Sequence, residues 1–211
     1  MLPKLVCLIF GYLVGMISPA VIYARAKGID IRSEGSGNAG TTNVLRVLGK
    51  KAGVIVFLGD VLKAAVSCML MGLIFSDVEG LSSEMAILYT WIGVILGHCF
   101  PFYLSFKGGK GIACTFGAIL ILNHWIAIVC FGCFLVIAFV TKTVSIASLI
   151  SNLLLLVLWI LFFVCGWLGN AELSFLETFI LFLIQQVIVI YKHKDNIVRI
   201  INGRENKFGF K

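Results

Sequence analysis

The sequence predicts an all-α polytopic membrane protein with seven transmembrane helices, its N-terminus outside and its C-terminus cytoplasmic. Three observations carry this. Of the 211 residues, 60% are hydrophobic and 13% charged, about half the charged share of a soluble domain. The apolar residues fall in continuous runs of membrane length, without the short alternation of barrel strands, and backbone inside a bilayer can satisfy its polar groups only as helix or closed barrel. Basic residues gather in alternate connections, the sorting expected when cytoplasmic loops retain Lys and Arg.

The first run, 5 to 24, matches the roughly 20 residues needed to cross a core of about 30 Å. Without a clear small-residue cleavage site it reads as a retained helix, not a removed signal peptide. The next connection, 25 to 51, holds six bases: Arg25, Lys27, Arg32, Arg46, Lys50 and Lys51. The second run, 52 to 75, carries Asp60 and Lys63 at i and i+3. Mutual neutralisation is their simplest reading, with a substrate contact as the alternative. The connection 76 to 84 (SDVEGLSSE) holds acids and no base, and the third run covers 85 to 104. Lys107 and Lys110 follow in 105 to 111.

The run 112 to 140 is too long for one ordinary span. Further runs occupy 144 to 168 and 173 to 191, separated by the acidic, base-free 169 to 172 (GNAE), and the tail from 192 carries six more bases. With 105 to 111 and the tail both inside and 169 to 172 outside, the start of the run at 144 must also be inside. The 29 residues of 112 to 140 must therefore leave and return as two short helices, with a turn at Asn123-His124 and Trp125 as an interface anchor. The alternative is one steeply tilted helix with the tail outside. No repeat, linker or low-complexity tract stands out, so 1 to 211 reads as a single domain.

The net charge of +7 would suggest nucleic acid in a soluble protein, but charge sorting across a bilayer accounts for it, so no nucleic-acid partner is expected. Seven cysteines lie in or beside apolar runs, where Cys behaves as a small hydrophobe. Cys130-x-x-Cys133 lacks a second ligand pair and reads as structural.

The topology puts four polar segments on the cytoplasmic side, where they can meet: GSGNAGTTNVLR (35 to 46), FKGGKG (106 to 111), TKTVS (141 to 145) and HKDNIVRIINGRENK (193 to 207). Glycines allow a backbone to turn successive N–H groups toward one anion. Ser36, Thr41, Thr42 and Asn43 add polar side chains, and Arg46, Lys107 and Lys110 add positive charge. This is the pattern of a phosphate site, though not of a P-loop, because Thr41 stands where that motif has Lys. The acids Asp30, Glu34, Asp195 and Glu205 form no carboxylate cluster, so no metal is expected. Ser36 has no His and Asp beside it in sequence, which favours a phosphate-binding hydroxyl over a nucleophile. His193 precedes Asn196 by three, placing both on one face of a continuing helix. Its alternatives are contact or proton exchange with a substrate hydroxyl, or a solvated interface histidine. His98 and His124 read as structural.

Together these segments resemble the bacterial integral-membrane glycerol-3-phosphate acyltransferases that use acyl-phosphate as donor. The blocks carrying the likeness are G-S-G-N-x-G-x-T-N-x-x-R at 35 to 46, GHCFPFYLSFKGGKG at 97 to 111, and H-x-x-N-I-x-R-x-x-x-G-x-E-x-K from His193 to Lys207. The resemblance implies transfer of a fatty acyl group from acyl-phosphate to the 1-hydroxyl of sn-glycerol 3-phosphate, giving lysophosphatidic acid and phosphate at the start of phospholipid synthesis. By motif, Ser36, Arg46, Lys107, His193 and Asn196 would be the principal functional residues. Gly37, Asn38, Gly40, Thr41, Thr42, Asn43, Gly108, Gly109 and Lys110 would line the substrates, Ser145 would lie near the acceptor's phosphate, and Glu205 would tie loops together. The family commonly continues Ala-Thr where this chain reads Ala113-Cys114-Thr115, leaving Thr115 to substitute for any hydroxyl contact there. The resemblance also implies the bacterial cytoplasmic membrane, a cytoplasm-facing site, no cofactor, and a functional link to an acyl-phosphate-forming enzyme.

Two rivals fare worse. The thioester-dependent acyltransferases use H-x-x-x-x-D, but Tyr103, Val129 and Val198 occupy the Asp position after the three histidines. A transporter of a phosphorylated metabolite would also place bases near a membrane cavity, but inverted repeats and midplane sites are its usual marks.

Overall fold

Proline, glycine and a few buried polar side chains decide how the apolar helices of this chain are cut and joined. The computed structural model describes residues 1–76, 78, 80–168 and 173–207, and these form ten α-helices and one short 3-10 turn, with no strand among the described residues. They divide into two compact units, Met1–Leu122 and Asn123–Lys211.

The first unit holds α1 (Leu2–Gly15), α2 (Pro19–Ala26), α3 (Thr41–Leu48), α4 (Lys50–Ile74), α5 (Ser83–Cys99) and α6 (Ile112–Leu122). The first apolar run, expected as one helix, is broken between α1 and α2. Pro19 has no N–H to offer the carbonyl of Gly15 four residues earlier. Lys63 supplies the missing donor: its Nζ lies 3.1 Å from Gly15 O and 2.7 Å from Ile17 O. The Tyr103 hydroxyl donates to Met16 O at 2.7 Å, and Ser18 Oγ caps α2 by accepting from Val21 N–H at 3.3 Å. The freed backbone groups thus find partners inside an apolar segment, without which such a break would be untenable.

The α1–α5 crossing rests on Gly11 and Gly15 facing Gly93 and Gly97. A Cβ on Gly93 would strike the Leu8 carbonyl and one on Gly97 the Tyr12 carbonyl, while Cβ atoms on Gly11 and Gly15 would strike the carbonyls of Thr90 and Val94. Small residues at four-residue spacing on both helices bring backbone against backbone. Behind this seam Ala64, Val94 and Cys114 join α4, α5 and α6 in a buried apolar cluster. Ile31, Val44, Val56 and Leu104 do the same beneath the connection from α2 to α3.

The second unit holds α7 (His124–Thr141), α8 (Val144–Val164), α9 (Phe175–Lys192) and α10 (Lys194–Ile201). Between α8 and α9 lies a buried amide clamp. Asn152 Nδ2 donates to Gln186 Oε1 at 2.6 Å, Gln185 Nε2 to Asn152 Oδ1 at 2.7 Å, and Gln186 Nε2 to Asn152 O at 2.6 Å. Trp159 stacks on Phe182 across the same pair, with ring centroids 4.6 Å apart.

The stretch 112 to 140 is cut into two helices, α6 and α7, at the expected turn. The chain leaves helical backbone at Asn123, whose Oδ1 accepts from Ile126 N–H at 3.1 Å and caps α7. Trp125 is exposed. Six segments are long and apolar enough to cross a membrane: Leu2–Ala26, Lys50–Ile74, Ser83–Leu104, His124–Thr141, Val144–Val164 and Phe175–Lys192. The shorter α6 reaches about 16 Å at 1.5 Å per residue, about half a bilayer core. Asp77, Glu79 and 169–172, which carry much of the acidic charge assigned to the outer side, lie outside the described residues.

The glycine seam makes a sharp prediction. Gly93→Leu should lower the thermal midpoint of the purified protein by roughly 5 °C or more, since overpacking against backbone cannot be relieved by a rotamer change. Gly132→Leu, where an added Cβ meets nothing within 4 Å, should leave it within about 2 °C. Equal effects would show that close approach at α1–α5 is not what holds the seam.

Candidate active site

In the first unit, the connection from α2 to α3 is organised by Asn43. This buried side chain accepts from Ser36 N–H at 2.8 Å and donates to Ile31 O at 3.1 Å and Glu34 O at 2.9 Å. Gly35 and Gly37 have φ of +58° and +70°, and a Cβ on Gly35 would run into the Asn43 carboxamide. Upstream, Arg32 forks onto Asp30, with Nε 3.0 Å from Oδ1 and Nη2 2.7 Å from Oδ2. Those hydrogen bonds hold the Asp30 carboxyl down to about 2.

Much of this loop's expected anion-binding backbone is already used. Ser36 N–H goes to Asn43, Gly37 N–H to Glu34 O and Gly40 N–H to Asn38 O. A different set of donors lies at the start of α3, where Gly40 is buried and Thr41 and Thr42 are half-buried. Gly40 stands at its N-cap in extended backbone with no side-chain cap; of the first-turn N–H groups, which a helix leaves without i−4 partners, that of Asn43 donates to Gly40 O at 3.1 Å. Thr41 Oγ1, in that turn, is buried with no hydrogen-bond partner among the described residues. A buried polar atom in this state is one that a ligand can satisfy. Ser36 is exposed, and Arg46 is exposed in the last turn of α3.

The FKGGKG loop folds back on the end of α5. Ser105 and Phe106 take left-handed backbone, φ 53° and 61°, which turns the chain sharply, and the N–H groups of Gly108 and Gly109 then donate to Cys99 O at 3.2 Å and His98 O at 3.0 Å. Both of these glycines therefore use their N–H groups within the chain. Their lack of a side chain serves close approach: a Cβ on Gly108 would strike His98 O, and one on Gly109 would strike His98 Nε2 and come 3.0 Å from Ala39 O of the first loop. The two glycine-rich loops therefore meet at Gly109. Lys107 projects into solvent beside this contact and Lys110 is half-buried. Cys114 and Thr115 are both buried on α6.

Below the loop lie Asp60, Lys63 and His98. Lys63 Nζ is 2.8 Å from Asp60 Oδ1, with side chains only 7% and 2% exposed, so the pair neutralises itself as its spacing predicted. His98 Nδ1 lies 3.3 Å from Asp60 Oδ1 and 2.9 Å from Lys63 Nζ, a contact that sequence spacing gave no means of finding.

In the second unit, Glu205 is the hub. Its Oε1 accepts from Ser145 Oγ at 2.9 Å and Asn196 Nδ2 at 2.8 Å, and its Oε2 from Arg199 Nε at 3.0 Å. Asn196 Nδ2 also lies 2.7 Å from Ser145 Oγ. Burial works to raise the Glu205 pKa, but the bonds from Asn196, Ser145 and Arg199 prevail and hold it below its ordinary 4.5. His193 is buried at the junction of α9 and α10. Its Nδ1 is 2.8 Å from Val189 O; a carbonyl can only accept, so Nδ1 carries a proton.

The fold and these clusters define an integral-membrane helical protein with cationic, glycine-rich loops suited to anionic substrates. The glycerol-3-phosphate acyltransferase family model matches residues 5–203. A glycerol-3-phosphate acyltransferase of Clostridioides difficile is 39% identical over 204 residues, covering 96% of this chain and 94% of the relative. One from Thermosipho melanesiensis is 40% identical over 197 residues, 93% and 88% of the two chains. The crystal structure of PlsY (YgiH), an integral membrane glycerol 3-phosphate acyltransferase, in its glycerol 3-phosphate form superposes with a TM-score of 0.82 at 34% identity, covering 98% of this chain and 96% of that one. The chain belongs to the glycerol-3-phosphate acyltransferase family.

The Glu205 hub predicts an acid limb. Because the folded carboxyl lies below 4.5, its contribution to stability is complete above that pH and is lost as pH falls through the folded value. Glu205→Gln should flatten the fall of thermal midpoint below pH 4.5 and lower stability near pH 7 by about 1–3 kcal/mol. Superimposable profiles for the two proteins would rule out the hub.

Proposed function

We propose that this protein transfers a fatty acyl group from acyl-phosphate to the 1-hydroxyl of sn-glycerol 3-phosphate, forming lysophosphatidic acid and inorganic phosphate, the first acylation of phospholipid biosynthesis. The observation that carries the reading is the meeting of the two glycine-rich loops at Gly109 and Ala39, beside the uncapped start of α3, the unpartnered Thr41 hydroxyl and the cations Arg46 and Lys107. The solved relative is known in a glycerol 3-phosphate form and a lysophosphatidic acid form, the acceptor and product of this reaction.

An acyl-phosphate is a mixed anhydride and already activated, so the protein has to hold two anions and aim a hydroxyl at a carbonyl. The acceptor oxygen bonds to the acyl carbon, the bond from that carbon to the phosphate oxygen breaks, and the hydroxyl proton passes to substrate phosphate. Ser36, Arg46 and Lys107 stabilise charge on the departing phosphate. Gly37, Asn38, Gly40, Thr41, Thr42 and Lys110 line the substrates, while Asn43, Gly108 and Gly109 shape the loops that do so. His193, Asn196 and Ser145 orient the acceptor, and Glu205 holds the latter two. Transfer is direct, without an acyl-enzyme, and needs no cofactor.

The bilayer keeps the acyl chain among apolar helices while the head group meets a water-soluble acceptor. In this reading the chain spans the bacterial cytoplasmic membrane seven times, N-terminus outside and site facing the cytoplasm, and draws its donor from an acyl-phosphate-forming enzyme.

The test is phosphate release from palmitoyl-phosphate by purified protein. Release should require glycerol 3-phosphate, yield lysophosphatidic acid, fail with palmitoyl-CoA, and drop at least about 100-fold in Ser36→Ala. Acceptor-independent release, or no acylated product from folded protein, would refute the acyltransferase and direct the work to uptake of phosphorylated metabolites by vesicles.

A further inference from the structure

The reaction above makes no use of the buried group Asp60, Lys63 and His98. With Cys114, ligand atoms of Asp60 and His98 lie within 4.8 Å of one another, an arrangement that could hold a metal. Lys63 Nζ, 2.8 Å from Asp60 Oδ1 and 2.9 Å from His98 Nδ1, already supplies a cation to the same atoms. On this side the group is closed.

On the other side it is not. His98 ends α5 where FKGGKG folds back, and its carbonyl accepts from Gly109 N–H at 3.0 Å. The Nε2 edge of its ring fills the space that a Cβ on Gly109 would occupy, and that same Cβ would lie 3.0 Å from Ala39 O. Gly109 is thus wedged between the His98 ring and the first glycine-rich loop. The ring cannot turn freely, because Asp60 and Lys63 hold its Nδ1 edge, and Lys63 is itself fixed by the carbonyls of Gly15 and Ile17.

We propose that Asp60 and Lys63 are positioning residues for the substrate phosphate, acting through His98, whose ring edge sets how closely the Lys107–Lys110 turn approaches Ala39. The proposal rests on the reading that this turn binds substrate. A ring released at Nδ1 lets the turn drift and carries Lys107 off its mark, and small misplacements of a charged contact are costly to binding and orientation.

The experiment is a mutant cycle on the full-length protein in nanodiscs, titrating palmitoyl-phosphate and glycerol 3-phosphate, with elution profile and thermal midpoint checked for every variant. Gly109→Ala should raise KM for one of the two substrates about tenfold with kcat changed less than about threefold. In a His98→Ala background, where the ring no longer blocks the methyl, the same change should shift KM less than about threefold. Asp60→Asn and Lys63→Gln should each reproduce the KM rise of His98→Ala and add nothing to it, and either one that folds is sufficient for the test. Independent, multiplying effects of His98→Ala and Gly109→Ala, or Asp60 and Lys63 variants with wild-type KM, overturn the positioning role and leave the acyltransferase reading intact. Wild-type kinetics in both Gly109→Ala and Lys107→Ala would overturn the substrate-binding turn, and the positioning role with it.

Discussion

An ammonium and a carboxylate that water cannot reach must find each other, and in this chain everything around Lys63 follows from that. Removing either partner would leave an uncompensated charge, typically worth 3–5 kcal/mol in a buried setting. Lys63 also answers a second need. The Pro19 ring leaves the Gly15 carbonyl without its helical donor, and the ammonium reaches both Gly15 O and Ile17 O. A helix break that would be unfavourable in hydrocarbon becomes the anchor of the buried ion pair, and each defect satisfies the other.

From that anchor the constraint runs outward through backbone contact. Gly11, Gly15, Gly93 and Gly97 let α1 and α5 touch carbonyl to Cα, which fixes where α5 ends. The end of α5 receives Gly108 and Gly109 through two backbone hydrogen bonds, which fixes the second loop. Gly109 then touches the first loop, whose shape is set by the three bonds of the Asn43 carboxamide. Glycine acts here chiefly by omission: without a Cβ, rigid backbone can be stacked against rigid backbone, and little freedom is left to the polar side chains carried on it.

What the sequence disclosed and what it hid differ by range. The Asp60–Lys63 pair was legible because i and i+3 share a helix face, and the cut at Asn123 because the run 112 to 140 is too long for one ordinary span and Asn caps helices well. Glu205 as a tie was an expectation of the family resemblance alone, and its bond to Ser145, 60 residues away, had no local signal. The break at Pro19 carried a local signal that the continuous hydrophobicity of 5 to 24 concealed. His98 meeting Lys63 from another helix, the amide clamp of Asn152 with Gln185 and Gln186, and the inward turn of the Gly108 and Gly109 N–H groups had no local signal. Each depends on where a second element lies, and a Gly-Gly pair reads alike whether its N–H groups face a ligand or a helix end.

The distribution of charge partners sharpens the chemical reading. Arg32 is forked onto Asp30, and Lys63 and Arg199 are paired with Asp60 and Glu205, so three cations are neutralised by the chain's own acids. Arg46 and Lys107 have no carboxylate partner among the described residues. A cation already paired gains little from an incoming anion, because binding must first break or share an existing contact. One held on a short helix or a wedged turn and left unpaired keeps its full attraction for a phosphate, and its placement is set before the phosphate arrives. Within the first unit, the buried Lys63–Asp60 pair holds His98 against Gly109, on the turn that also carries Lys107.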